Sequence, residues 1–322
     1  MRVNRDILLA AIVVAMIAGI GFITPSFVAP RSLVGLFNDT AILIMVALGQ
    51  MTVILTRCID LSVGANIAFS GVLVSLMNAA FPDVPVSILM LAAAGVGLAL
   101  GAFNGAMVWL AGIPPIVVTL GTLSIYRGLA FVASGGTSIV GRQMSPAFIA
   151  IPRIEIAGLP TMSWFAIIAV IIFAFALRAT RTGRAFYAVG GNPTAAVYAG
   201  INAGKTQFIA FCISGTIAGL CGYLWASRYT IAYVDIAGGF ELDVIASCVI
   251  GGVSIAGGIG TVAGAVLGAL FLGVVKNALP VIHVSPFWQL AISGVVILGA
   301  VIINTDRERR TGRLILKEAV ST

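Results

Sequence analysis

Charge is scarce in this 322-residue chain: lysine, arginine, aspartate and glutamate together make up 9% of it, against about a quarter in an ordinary soluble protein. So few charges cannot clothe a water-facing surface. Histidine occurs once, at His283, with no His, Cys or carboxylate near it at ligand spacing, and no nucleophile–base pair stands out. Metal-dependent and covalent catalysis are therefore poor readings. The four cysteines, Cys58, Cys212, Cys221 and Cys248, lie in or beside apolar stretches without metal or disulfide spacing, and read as small packing residues. The phosphate-binding pattern GxxxxGK[ST] is missing, as are the short alternating segments of a transmembrane barrel.

What is present is hydrophobic: 60% of the residues, in runs such as 7–23 and 161–177. Runs of this kind approach or reach the roughly 20 residues that cross about 30 Å of hydrocarbon as helix, and lipid offers the backbone no alternative partners. The sequence predicts an all-α, polytopic integral membrane protein forming a single transmembrane domain over residues 1–322. Ten spans are expected near 7–23, 40–56, 62–80, 86–109, 115–134, 161–178, 207–226, 242–257, 260–279 and 286–304. The fifth contains Arg127, and only a glycine-rich turn separates the eighth and ninth, so a broken or re-entrant helix is an alternative at both places. Thirty-eight glycines suit close helix approach in lipid. Gly260, Gly264 and Gly268 form one small-residue stripe on the ninth span.

With an even number of spans, both ends share one side. Assigning that side to the cytoplasm places Arg2, Arg5, Arg57, Arg178, Arg181, Arg184, Lys205, Arg307, Arg309, Arg310, Arg313 and Lys317 there, against Arg31, Arg142, Arg153 and Arg228 outside. Twelve against four is the positive-inside asymmetry. The net charge of +7 thus follows topology, and no nucleic-acid partner is expected. Arg2 and Arg5 before an apolar run resemble a signal peptide, but the run is longer than a removable signal needs, and an uncleaved first span fits better. Residues 135–160 form the longest external connection, rich in turn-forming pairs. Residues 305–322 form a short charged cytoplasmic tail.

The inner loop, 179–206, reads RATRTGRAFYAVGGNPTAAVYAGINAGKT around a short helix near 192–200. Asn192 suits an N-cap, Pro193 the first helical position and Gly200 a left-handed ending. Such a helix is too short to stand alone in water. It needs a surface, either this chain's own helix ends or a partner, and Val197 and Tyr198 offer apolar contact.

The string GRAFYAVGGNPTAAVYAGI resembles the cytoplasmic loop of ribose-type ABC sugar permeases, the family of ribose, xylose, rhamnose and autoinducer-2 transporters. Four further strings agree in order: TRCIDLSVG at 56–64, IPPIVVTLGTLSIYRGL at 113–129, VIGGVSIAGGIGTVAGAVLGALFLG at 249–273 and SPFWQLAISGVVIL at 285–298. The resemblance implies the ABC importer permease fold and the transmembrane pore subunit of an ATP-driven monosaccharide importer, without enzymatic activity of its own. It implies ABC ATPase subunits that carry ATP and Mg, a second permease chain, identical or homologous, and a soluble extracytoplasmic sugar-binding protein. This chain itself would hold no cofactor. The ATPase contact would run over residues 190–201, through Gly190, Gly191, Asn192, Pro193, Ala196 and Gly200, with Tyr187 shaping the approach and Arg184 flanking it. Many relatives have two glycines where this chain has Arg57 and Cys58. An arginine before the Ile-Asp pair resembles the rhamnose and autoinducer-2 branches, and puts rhamnose or another deoxyhexose ahead of ribose or autoinducer-2.

Asp60, with acceptor oxygens ahead of the third span, reads as a helix cap in preference to a substrate ligand, and Arg57 could pair with it. Asn66, Asn104, Gln50 and Gln289 sit in apolar surroundings and need another helix or a watery path. A sugar path would draw on Phe69, Asn104, Phe287, Trp288 and Gln289, although Trp288 also fits the interfacial belt. For Arg127 a position near a helix end, with its stem reaching the surface, is the favoured reading. A self-contained secondary transporter for a small polar metabolite is the competing class, but it wants an ion-coupled carboxylate in a span, and none is secure.

Overall fold

The computed structural model describes residues 5–281 together with Trp288, Ala291, Gly294 and Val295. Most of the expected tenth span, the tail 305–322, His283, Phe287 and Gln289 lie outside the described residues.

The chain opens with α1 (Arg5–Ile23), a single 3-10 turn and α2 (Pro30–Leu55). Three more long helices follow: α3 (Val63–Ala80), α4 (Val86–Trp109) and α5 (Pro115–Ser134). The connection after α5 holds β1 (Ile139–Val140), α6 (Pro146–Ala150), β2 (Glu155–Ile156) and β3 (Leu159–Pro160). Then come α7 (Thr161–Ala179), α8 (Arg181–Gly191), α9 (Pro193–Tyr198) and α10 (Ala203–Tyr229). The described chain closes with β4 (Ile231–Ala232), α11 (Phe240–Ile250) and α12 (Val262–Val281). Among the described residues, eight of these helices are long and apolar enough to cross a membrane: α1 to α5, α7, α10 and α12.

Two spans differ from the sequence expectation. The helix expected at 40–56 begins ten residues earlier, at Pro30. Its first turns, PRSLVGLFND, are too polar for a hydropathy window, yet proline at the first position starts a helix well. The span expected at 242–257 is shorter: α11 has 11 residues, about 16 Å at 1.5 Å per residue, roughly half a bilayer. Gly252, Gly257 and Gly258 stop it, all with left-handed φ of 85°, 83° and 74°.

The chain nevertheless runs from one end of the bundle to the other through this region. Ala232 pairs with Ile139 in the small β1–β4 sheet at one end, while beyond α11 the Gly258 amide donates to Leu55 O at the α8 end (3.0 Å). Between them, the irregular stretch 233–239 enters the bundle, where the Ile236 carbonyl accepts from Arg127 Nη1 at 2.8 Å. Its carbonyls lack a helical partner, and an intramembrane cation supplies one. Arg127 thus lies well inside α5 and not near its end as expected; its partners are Val234 O, Ile236 O and Asp235, the last 3.8 Å away.

The core is organised on α10, which packs on α4, α3 and α2. Its seam with α4 is made of glycine. A Cβ on Gly97 would stand 2.2 Å from Gly215 O and 2.6 Å from Gly219 Cα, and one on Gly101 would stand 2.3 Å from Phe211 O. Backbone touches backbone, the contact that replaces a hydrophobic drive in lipid. Of the expected 260–264–268 stripe, two glycines do the same on α12: Gly264 faces Gly251 O at 2.1 Å and Gly268 faces Ser247 O at 2.0 Å from the built Cβ positions, while Gly260 precedes the helix and meets the side chains of Val253 and Met51.

Candidate functional site

Two groups of polar residues are set into this apolar frame. The first lies where α2 gives way to α3. Ser62 occupies the N-cap position of α3 and makes no side-chain cap bond. Asp60 stands two residues ahead of that position, and of the backbone bonds expected from residues 62 and 63 it takes the one from Ser62. Its Oδ1 accepts from the Ser62 amide at 2.9 Å and the Ser62 hydroxyl at 2.7 Å, closing an Asx turn that fixes the helix entry. Asn104 on α4 donates to Ser62 Oγ at 2.8 Å, and the Tyr126 hydroxyl on α5 lies 3.1 Å from Asn104 Oδ1 and 2.8 Å from Leu100 O. Asp60 is 2% exposed, and burial pushes its carboxyl above the usual range, opposed by the two bonds from Ser62. Burial also pushes the neighbouring Cys58 thiol up to about 11, so at neutral pH it is a thiol and a poor nucleophile.

This arrangement ties three helix segments together and leaves Asn104 buried and engaged. Asn66 is likewise spent between helices, donating to Gly97 O at 3.3 Å and lying 3.5 Å from Gly215 O, with Ser70 donating to its Oδ1. Gln50 is fully buried on α2 with both amide atoms unpartnered among the described residues. Phe69 is half-buried on α3, and nothing in the geometry draws it to Asn104.

The second group lies at the α8 end. Its helix α8 falls where the sequence predicts only loop before Asn192. Thr180 caps it, its hydroxyl accepting from the Gly183 amide at 3.0 Å, and Phe186, Val189 and Gly190 are buried on one face. Gly190 is a contact point that admits no side chain: a Cβ there would stand 1.8 Å from Leu55 O and 2.3 Å from the Gly258 amide. Tyr187 donates its hydroxyl to Gly260 O at 3.0 Å. Arg57, itself left-handed with φ 65°, donates from Nε to Gly190 O at 2.7 Å and from Nη2 to Gly191 O at 3.0 Å. The expected Arg57–Asp60 pair is not formed; the guanidinium turns to the carbonyls closing α8, where the helix dipole favours a cation.

Asn192 follows at once, its Oδ1 accepting from the Ala195 amide at 3.0 Å at the start of α9, with Pro193 in the first helical position. Gly200, at φ 79°, ends the helix, and the Ile201 amide returns to Ala196 O at 2.9 Å. α9 presents Val197, 59% exposed, and Tyr198, 89% exposed. Ala196 and Gly190 are buried within this chain. These two residues of the expected partner contact are packing residues, because they seat α9 and α8 on the bundle. Gly191, Asn192 and Gly200 remain exposed, as does Arg184, whose Nη1 donates to Ala179 O at 3.1 Å.

A bundle with long apolar helices, an anchored helix pair at one end and an exposed apolar tip on that pair has the features of a membrane transport subunit, and relatives carry the same reading. Over 94% of its length the chain is 34% identical to the autoinducer 2 import system permease protein LsrC of Salmonella typhi, covering 86% of that protein. It is 35% identical to the LsrC of Shigella flexneri and 34% identical to that of Escherichia coli K12, covering 94% of this chain and 87% of the relative in each case. No solved structure matches the chain. Residues 32–301 match the family described as the branched-chain amino acid transport system, permease component. The chain belongs to that permease family, as a multi-pass inner-membrane ABC sugar permease and a transport subunit rather than an enzyme.

Proposed function

We propose that the chain is the pore-forming subunit of an ATP-driven importer for autoinducer-2 or a closely related small sugar. The family implies an ATPase and a substrate-binding protein as partners. The relatives favour autoinducer-2, the alternative in the sequence reading, over rhamnose. ATP and Mg belong on the ATPase, a second permease chain completes the pore, and the α8 end with both termini faces the cytoplasm, in keeping with the arginine asymmetry.

The observation that carries this reading is α9. A six-residue helix that displays Val197 and Tyr198 to solvent is not stabilised by its own hydrogen bonds. It is held by its caps and by α8, which in turn is bolted to the end of α2 and to the turn before α12 through Arg57, Gly190 and Tyr187. Force applied at Tyr198 therefore reaches two long helices through short, directional bonds. Closure of an ATPase pair on this tip would bias the bundle between inward- and outward-facing states.

The double variant Asn192→Ala, Pro193→Ala removes the cap, which contributes about 1 kcal/mol, together with the fixed first turn. Membrane insertion is expected to persist while ATP-driven uptake in proteoliposomes falls at least tenfold and ATP hydrolysis continues. Undiminished uptake would reject α9 as the coupling element. Tyr198→Cys gives the orientation: a membrane-impermeant maleimide should label it in inverted vesicles and spare it in intact cells.

A further inference from the structure

Away from both groups just described, a cavity of about 520 Å³ opens between α2, α10 and α12, toward the end of the bundle that carries the β1–β4 pair. The volume falls within the roughly 300–1,000 Å³ of small-molecule sites. Its walls hold charges that a lipid-facing surface would not carry: Asp39 on α2 pairs with Arg228 on α10 at 2.7 Å, and Lys276 on α12 pairs with Asp243 of α11. Ionisable residues inside membrane helices face water or a solute path. Asp39, Arg228 and Lys276 line the cavity and Asp243 neutralises Lys276 from α11, so the paired charges sum to zero.

Hydrogen-bonding capacity remains beside the ion pairs. Arg228 lines the cavity with its Nη2 held by Asp39, and a guanidinium has N–H donors beyond that one. Asn277 spends its amide Nδ2 on Gly273 O of its own helix at 2.9 Å, which leaves the side-chain carbonyl to accept. Trp225 and Tyr229 supply aromatic surface on the same wall, with Trp225 braced edge-on by Phe240 at 5.0 Å. Donors, an acceptor and a supported aromatic ring around a neutral space match a molecule with hydroxyls on its edges and C–H bonds on its face.

Resting on the reading of the chain as a sugar-importer subunit, we infer that this cavity binds the transported solute, a neutral polyhydroxylated molecule of furanose or pyranose size, with Asn277 and Arg228 bonding its hydroxyls and Trp225 stacking on its ring. None of these residues belongs to the path that sequence reasoning favoured: Trp225 and Arg228 come from α10 and Asn277 from α12, about fifty positions on, and each is ordinary in its own segment.

The test is discrimination rather than rate. The full transporter, with its ATPase and binding protein, is reconstituted in liposomes, and uptake of autoinducer-2, ribose, rhamnose and leucine is measured for wild type, Asn277→Asp and Trp225→Phe. The expected result is that the wild type takes up at least one of the three sugars and not leucine. Each variant is then expected to change the ratio of uptake between two of the sugars, fivefold or more for Asn277→Asp. Ratios equal to wild type, whether or not the absolute rates fall, would make these residues structural and overturn the assignment. Wild-type uptake of leucine and none of the sugars would overturn the importer reading itself, and the solute class with it.

Discussion

Leucine at Gly97 or Gly215 is expected to leave almost no folded protein in detergent extracts, the largest effect of any single substitution outside the α8 end. The two glycines face each other across the α4–α10 seam: a Cβ built on either stands 2.2–2.3 Å from the other's carbonyl oxygen. Overpacking a core ordinarily costs about 1–3 kcal/mol because side chains yield. Here the obstacle is backbone on both sides, so a whole helix must move. Such a move also strips Asn66 of Gly97 O and Gly215 O, stranding a buried amide at about a further 1–3 kcal/mol. The two ranges sum to about 2–6 kcal/mol, and with backbone as the obstacle the upper end applies, among the exceptional losses above about 4 kcal/mol. Fluorescence-detected size-exclusion chromatography of a tagged protein measures it directly. Gly95, Gly121 and Gly128, in the same helices or the adjacent α5, have nothing within 4 Å of a built Cβ. Alanine at these three should leave the monodisperse peak unchanged or raise its thermal midpoint, since alanine is the better helix former. A monodisperse peak from Gly215→Leu would show that α4 and α10 do not meet as described.

That contrast also marks how far the sequence could be read. Hydropathy and period locate the long helices well, because lipid leaves the backbone one solution; α4 and α5 coincide with the expected 86–109 and 115–134. The same criterion fails where helix and lipid part company. α8 has too many polar residues for a span, and its Gly190–Gly191 pair looks like a breaker, although Thr180 ahead of it was a readable N-cap. The apolar 242–257 run passes for a span, yet glycines at 252, 257 and 258 take left-handed turns there. The short inner helix could be read from Asn192, Pro193 and Gly200 because caps are local signals. Arg57 is the opposite case. Arg57 has an acid three residues away in sequence, but its partners are the carbonyls of Gly190 and Gly191, more than 130 positions on. The charged cavity between α2, α10 and α12 joins Asp39 to Arg228 over a similar distance, and no local pattern announces it.

Arg57→Gly should separate folding from transport. Arg57 sits at φ 65°, a conformation that costs an L-residue about 1–2 kcal/mol and a glycine little. The two bonds to the end of α8 offset this: charge-assisted bonds contribute about 1.5–3 kcal/mol each when protected, less here because Arg57 is solvent-exposed and exposed pairs are screened. Glycine therefore relieves strain and loses bonds in comparable amounts, and the thermal midpoint of the purified permease should move little. Transport should not be spared. Without the guanidinium, α8 keeps the Gly190 contact with Leu55 at the end of α2, while Tyr187 ties it to the turn before α12, so closure of the ATPase would tilt α8 before it moves α2. The expected outcome in proteoliposomes is uptake reduced about tenfold with ATP hydrolysis retained. Arg57→Lys should lie between the two, since an ammonium can reach one carbonyl but lacks the fork that holds both. Uptake by Arg57→Gly equal to wild type would mean that α9 transmits to the bundle by another route, through its contacts with α10. A fall in uptake accompanied by an equal fall in the thermal midpoint would make Arg57 a folding determinant rather than a link in coupling.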